Sequence, residues 1–148
     1  MSDELRRESA PKFDHQAHEE HEGVGAKFDA LSRIIVDAGL SVHKALGPGL
    51  LESTYEHCLL HELQTRGVAC LRQVPIPIVY KGAKLDAGYR IDLVVDNSIV
   101  VEVKAVEALT RLHEAQILTY LRLAGFRIGL LMNFNVVLFK NGLRRFVL

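Results

Sequence analysis

Asp92, Glu102 and Lys104 are the residues of this chain whose types and spacing could do chemistry. They lie in the stretch Tyr89-Arg90-Ile91-Asp92-Leu93-Val94-Val95, then Asp96-Asn97-Ser98, then Ile99-Val100-Val101-Glu102-Val103-Lys104. Two β-branched runs around a turn cluster are the signature of a hairpin. A loop of three residues, Asp96 to Ser98, would pair Val95 with Ile99 and set Asp92 directly opposite Glu102, with Cβ atoms roughly 5 Å apart. A two-residue loop would put the two carboxylates on opposite sides of the ribbon. The three-residue loop is the one expected, because it alone gathers Ile91, Leu93, Val95, Ile99, Val101 and Val103 on one apolar face. A slip of one residue would send charges into that core.

Two facing carboxylates repel one another unless a positive charge sits between them or one takes a proton. A divalent cation answers that need. Lys104 stands two residues beyond Glu102, about 7 Å along the same face, within reach of a substrate or water at such an ion. Arg90, Asp92, Glu102 and Lys104 also read as a solvated face laced by weak cross-strand ion pairs, so the hairpin by itself leaves both readings open.

The elements that must hold this hairpin follow from composition and periodicity. A chain of 148 residues, 49% apolar, is one globular domain with a substantial core. No apolar run approaches the ~20 residues of a membrane span, and the N-terminus lacks the pattern of a secretory signal, so no membrane partner is expected. Cys58 and Cys70 lack metal-type spacing and read as reduced thiols in a cytoplasmic protein. The formal charge of zero conceals an asymmetry: residues 1–25 hold 7 acidic and 3 basic side chains, leaving 15 basic and 11 acidic in 26–148. Residues 1–25 read as a disordered or loosely helical acidic arm, with His15, His18 and His21 as solvated side chains rather than ligands. Residues 26–148 form the folded domain, mildly basic and compatible with a nucleic-acid partner.

Phe28, Leu31, Ile35, Ala38, Val42 and Ala45 recur at spacings of 3 and 4, the stripe of an amphipathic helix. Gly47-Pro48-Gly49 must end it. A second helix is expected from Leu50 to Arg66, closed by Gly67, with Leu51, Tyr55, Leu59 and Leu63 on its apolar arc. Glu52 falls about 20° from both Leu59 and Leu63 on that wheel and so points inward, where a carboxylate must be paired, metal-bound or protonated. A Glu in the first turn also suits the helix dipole, and both roles stay open. His57 and His61 fall on the polar side and read as solvated. Leu71 to Tyr80 reads as one edge strand, because Pro75 and Pro77 place both missing donors on one side. Lys81-Gly82 turns it back toward the hairpin. Leu109 to Ala124 reads as a helix stopped by Gly125, with His113, Gln116 and Tyr120 in a polar line. Arg127 to Met132 is a buried strand, and Val136–Phe139 with Leu143–Val147 a closing hairpin turned at Lys140-Asn141-Gly142. A helix between two strands makes a crossover. The expected class is α/β, a mixed central sheet flanked by helices.

Gly49-Leu50-Leu51-Glu52-Ser53-Thr54-Tyr55 matches the pattern that names the GxxExxY protein family, and the chain from Phe28 to Leu148 resembles that family throughout. The family is similar to the PD-(D/E)XK nuclease superfamily, with its restriction-endonuclease-like core of a helix, a three-stranded antiparallel meander, a crossover helix and a further strand. The resemblance implies that Asp92 stands for the first metal-binding Asp, Glu102 and Lys104 for the E-x-K pair, and Glu52 for the acid that the first core helix often adds. Gln116 and Tyr120 resemble the Q-x-x-x-Y motif that RecB-type and lambda-exonuclease-like members place beside the active site. The Pro of the superfamily's name is absent, since Ile91 precedes Asp92.

Together these point to metal-dependent phosphodiester hydrolysis of nucleic acid, with DNA the expected substrate. Glu52, Asp92 and Glu102 would hold Mg²⁺, or Mn²⁺, as hard oxygen ligands. Lys104 would orient the water or stabilise developing charge. Gln116 and Tyr120 would position the phosphate or brace the lysine, with Arg90 and His113 as substrate contacts. A homodimer is expected on a duplex. The alternative is a non-catalytic module that keeps the fold and binds nucleic acid or protein without turnover.

Overall fold

The computed structural model describes residues 15–148, with side chains from Asp29 onward. The expectations for the arm of residues 1–25, its histidines included, therefore lie outside the described side chains. The first helix, α1, spans His15–Leu46, and the stripe Leu31, Ile35, Ala38 and Val42 is buried as its spacing predicts. Gly47 and Gly49 break it at φ +67 and +102, backbone angles that only glycine adopts without strain. α2 follows at Glu52–Thr65.

Next come β1 (Cys70–Pro75), β2 (Ile78–Tyr80), β3 (Ala83–Leu85), β4 (Arg90–Val95), β5 (Ile99–Lys104), α3 (Arg111–Ala124), β6 (Ile128–Asn133) and β7 (Leu143–Val147). The five-stranded sheet runs β1-β4-β5-β6-β7. Only β5 and β6 pair in parallel, joined by α3 as the crossover. The class is α/β with a mixed sheet, as the sequence led one to expect. Side chains of α1 and α2 pack on one face with Leu93, Val95, Ile99 and Val101. Ile117, Tyr120 and Leu121 of α3 pack on the other with Val94, Val100 and Leu131. Both faces are thus covered, and Ile91 joins the α3 side rather than the apolar set predicted for it.

Two strand expectations are corrected. The run from Leu71 to Tyr80 is two strands, not one: β1 is the sheet's edge, as the prolines predicted, but β2 leaves it and pairs only with β3. Pro75 and Pro77 flank the break and cannot donate to a continuing ladder. The closing hairpin is also absent. Phe139–Gly142 is a 3₁₀ turn, and β7 pairs antiparallel with β6 instead. Phe139 is buried against Phe134, and a Cβ on Gly142 would lie 2.1 Å from the Asn133 carbonyl oxygen, so this segment is held by packing rather than by a ladder. Among the described residues no helix is long and apolar enough to cross a membrane.

Candidate active site

The central hairpin adopts the register of the three-residue loop. Val95 faces Ile99, Val94 faces Val100 and Leu93 faces Val101. Asp96 and Asn97 both take left-handed angles, φ 50 and 48, and the Ser98 N–H reaches the Val95 carbonyl at 3.0 Å, as a type I′ turn requires. Past Leu93 the carboxylates take over the ladder's donors. The Val103 N–H donates to Asp92 Oδ2 at 2.8 Å, and the Asp92 N–H donates to Glu102 Oε1 at 3.1 Å. Each acid is thereby fixed by the backbone of the opposite strand.

Glu102 is 3% exposed. Burial, reinforced by the adjacent Asp92 charge, pushes its carboxyl up to about 9. Asp92 is also raised, by burial first and then by the charge of Glu56, against the opposing pull of the Val103 N–H. Burial and mutual repulsion thus both favour a proton on the pair when no cation lies between them. Two hard oxygen donors that burial makes reluctant to ionise side by side are a donor set that a divalent cation relieves, so the residues present fit such an ion. Among the described residues no group of three or more His, Cys, Asp or Glu side chains converges as ligands.

Lys104 ends β5 on the same side of the sheet. Its Nζ donates to Gln116 Oε1 at 3.1 Å, and Gln116 Nε2 donates to Tyr120 Oη at 3.1 Å. α3 supplies both partners because residues four apart share a helix face. Burial raises the Tyr120 phenol above its ordinary value, against the Gln116 hydrogen bond, and the Tyr89 ring meets Tyr120 edge-on at 6.2 Å. The cation of the site is therefore braced through two side chains back to the core.

Three predicted residues take other positions. Glu52 does not point inward: it is exposed, and its Oε1 accepts the Ala105 N–H at 3.2 Å. It has the right angle on the wheel but opens α2, one turn short of the packed part of the helix. Its neighbour in the motif, Tyr55, is buried and clamps the preceding turn, donating to the Gly47 carbonyl at 2.6 Å and accepting from the Leu50 N–H at 3.1 Å. His113 stands outside the Lys104–Gln116–Tyr120 line of bonds. Its Nδ1 accepts from the Thr110 N–H and its own N–H donates to Thr110 Oγ1, a capping box at the start of α3. Arg90 is exposed at the head of β4, opposite Pro75.

The sequence reading missed a polar trio beside Asp92, built around a buried acid. Glu56, 5% exposed, accepts from Gln73 Nε2 at 2.7 Å and from Arg72 Nη1 at 3.2 Å. The same Gln73 amide lies 3.4 Å from Asp92 Oδ1. Gln73 has φ +55 in mid-strand, a region that non-glycine residues rarely occupy. The helical wheel that nominated Glu52 offered a signal for Glu56, which lies one turn deeper and about 20° from Leu63. No sequence pattern announced the left-handed Gln73.

A model of the PD-(D/E)XK nuclease superfamily matches residues 29–146. Among curated proteins and solved structures, none matches the chain. The match spans nearly all of the described residues, and the chain belongs to the PD-(D/E)XK nuclease superfamily.

Proposed function

We propose that this member of the superfamily is a divalent-metal-dependent nuclease that hydrolyses phosphodiester bonds, with DNA as substrate. The observation that carries the reading is the pairing of buried Glu102 with half-buried Asp92, each acid tied to the opposing backbone, beside a lysine braced by Gln116. Burying two adjacent carboxylates opposes folding, and a binding module without turnover would gain nothing from it. Asp92 and Glu102 would hold Mg²⁺ or Mn²⁺, with Glu52 reaching it through water at most. Such an ion, when bound, supplies Lewis acidity toward water and phosphate.

The chain's own residues supply the rest. Lys104 sets its ammonium where charge grows on the phosphate as a water, giving up a proton to solvent, bonds through its oxygen to phosphorus and an ester oxygen leaves, that oxygen taking a proton from solvent. Gln116 fixes the lysine's direction and Tyr120 fixes Gln116. Arg90, exposed at the head of β4, offers a bidentate contact to a neighbouring phosphate.

The test pairs calorimetric titration of Mg²⁺ and Mn²⁺ with cleavage of labelled duplex and single-stranded DNA, using wild type and Asp92→Ala/Glu102→Ala. Binding and cleavage by the wild type, both lost in the double variant, support the proposal. A wild type that binds neither ion, even with DNA present, overturns it. One domain of this size covers one side of a duplex, so a second copy is expected on such a substrate, and sedimentation with and without DNA checks that.

A further inference from the structure

The chain leaves the sheet at Pro75 and rejoins it at Arg90, and these two residues pair with one another. Antiparallel pairing puts that exit at the end of the sheet that holds Asp92, Glu102 and Lys104. The excursion between them is the β2–β3 ribbon. Its base is firmly set: the Ile76 N–H reaches the Tyr89 carbonyl at 2.9 Å, Ile76 is buried, and Ile78 packs on the α3 side of the core. Its turn, Lys81-Gly82 at φ 48 and 78, has the left-handed pair that a tight ribbon needs. Beyond that base every residue from 79 to 90 is exposed.

The composition of this arm is unlike that of a solvated loop. Val79, Tyr80 and Tyr89 present large apolar side chains to solvent, Lys81 lies over the Tyr80 ring at 5.5 Å, and Lys84 faces outward beside Val79. Three cations, Lys81, Lys84 and Arg90, stand against one acid, Asp86, whose carboxylate accepts the Gly88 N–H. Tyr89 connects the arm to Tyr120 and so to the braced lysine.

From this we infer that the β2–β3 ribbon is a substrate arm that lies along the sugar-phosphate backbone of the nucleic acid next to the cleaved bond. This rests on the nuclease reading. A two-stranded ribbon is narrow enough to follow a groove, its lysines answer the charge of the phosphates, and its tyrosines give bases or sugars an apolar face.

The test measures binding of a fluorescein-labelled 20-base-pair DNA duplex by anisotropy, in Ca²⁺ in place of Mg²⁺, from low to moderate salt. The proteins are wild type, Lys81→Glu/Lys84→Glu, the milder Lys81→Gln/Lys84→Gln, and Arg127→Glu as a reversal at the far end of the sheet, where β6 begins. The arm predicts at least about tenfold weaker binding for the Glu pair, a smaller loss for the Gln pair, and a salt slope lower by about 2, one counterion for each lysine. Arg127→Glu should keep the wild-type slope. In cleavage, the arm variants should raise KM with kcat little changed. A Glu pair that melts like the wild type and binds with its affinity and slope overturns the arm alone. A wild type that binds no DNA overturns the nuclease reading, and the arm with it.

Discussion

The molecule builds two hairpins with the same local device and gives them opposite fates. Both turn on two consecutive left-handed residues, Lys81-Gly82 in one and Asp96-Asn97 in the other. The β4–β5 hairpin lies in the middle of the sheet with helices on both faces, and its acids are fixed by backbone donors. The β2–β3 hairpin pairs with nothing but itself. Turn chemistry makes a ribbon; whether the ribbon is core or arm depends on what its flanks allow. Two prolines cut the second hairpin from the sheet, whereas β-branched runs on both faces draw the first into its centre.

If that contrast is right, the largest effects of mutation fall on the central hairpin's chemistry. Lys104→Ala should lower kcat by roughly a hundred- to a thousandfold, the scale of one lost charge-stabilising group, while thermal melting stays near that of the wild type. Full activity in this variant would remove Lys104 from the site. Next comes a paired stability comparison, read by urea titration. Leu93→Ala, in the buried hairpin, should cost about 2–5 kcal/mol, and Val79→Ala, in the exposed one, less than about 0.5 kcal/mol. Equal costs would erase the distinction between core and arm.

The third prediction concerns the price of burying acids. In the unfolded chain Glu102 ionises near the ordinary Glu value of 4.5, but in the folded protein it holds its proton to about 9. The folded state thus binds more protons across that window, and Asp92 shifts in the same direction. Stability in EDTA should therefore be greatest below the unfolded value and fall as pH climbs toward 9. Glu102→Gln, which can still accept the Asp92 N–H, should flatten that fall and stabilise the apo protein at pH 8 by about 1–3 kcal/mol. Denaturant titrations at pH 5 and pH 8 would read both. A Gln variant less stable than the wild type at pH 8 would mean that the acids hold the fold rather than burden it. Last comes Tyr55→Phe, which removes the bonds to the Gly47 carbonyl and the Leu50 N–H and should cost about 1 kcal/mol, checked by the same titration.

What could be read from the sequence tracked how strongly one face of each element was marked. The register of β4 and β5 was legible because a slip would have buried charge. The line Gln116–Tyr120 was legible because helical spacing alone aligns it, while His113, at the same spacing, was drawn off to cap the helix. Glu52 shows the limit of a wheel: angle is visible in sequence, but depth along the axis is set by where the sheet ends. Gln73 lay beyond reach altogether, since the partners of its side chain come from α2 and β4, distant in the chain. The missing closing hairpin failed for a related reason, because turn residues at 140–142 do not reveal that Phe139 would be drawn into the core.

The one parallel pairing in the sheet also bears on how the site comes into being. β4 and β5 meet across a three-residue turn, so Asp92 and Glu102 become neighbours through a short loop closure, whereas β5 meets β6 only after residues 105–127 have been made and α3 has been laid against the sheet. Local closures precede distant ones. A growing chain would therefore assemble its acids before its lysine is braced, and a polypeptide stalled short of residue 128 would carry every named site residue yet lack the strand that α3 must bridge to. On ribosomes the site would thus be completed only once β6 emerges.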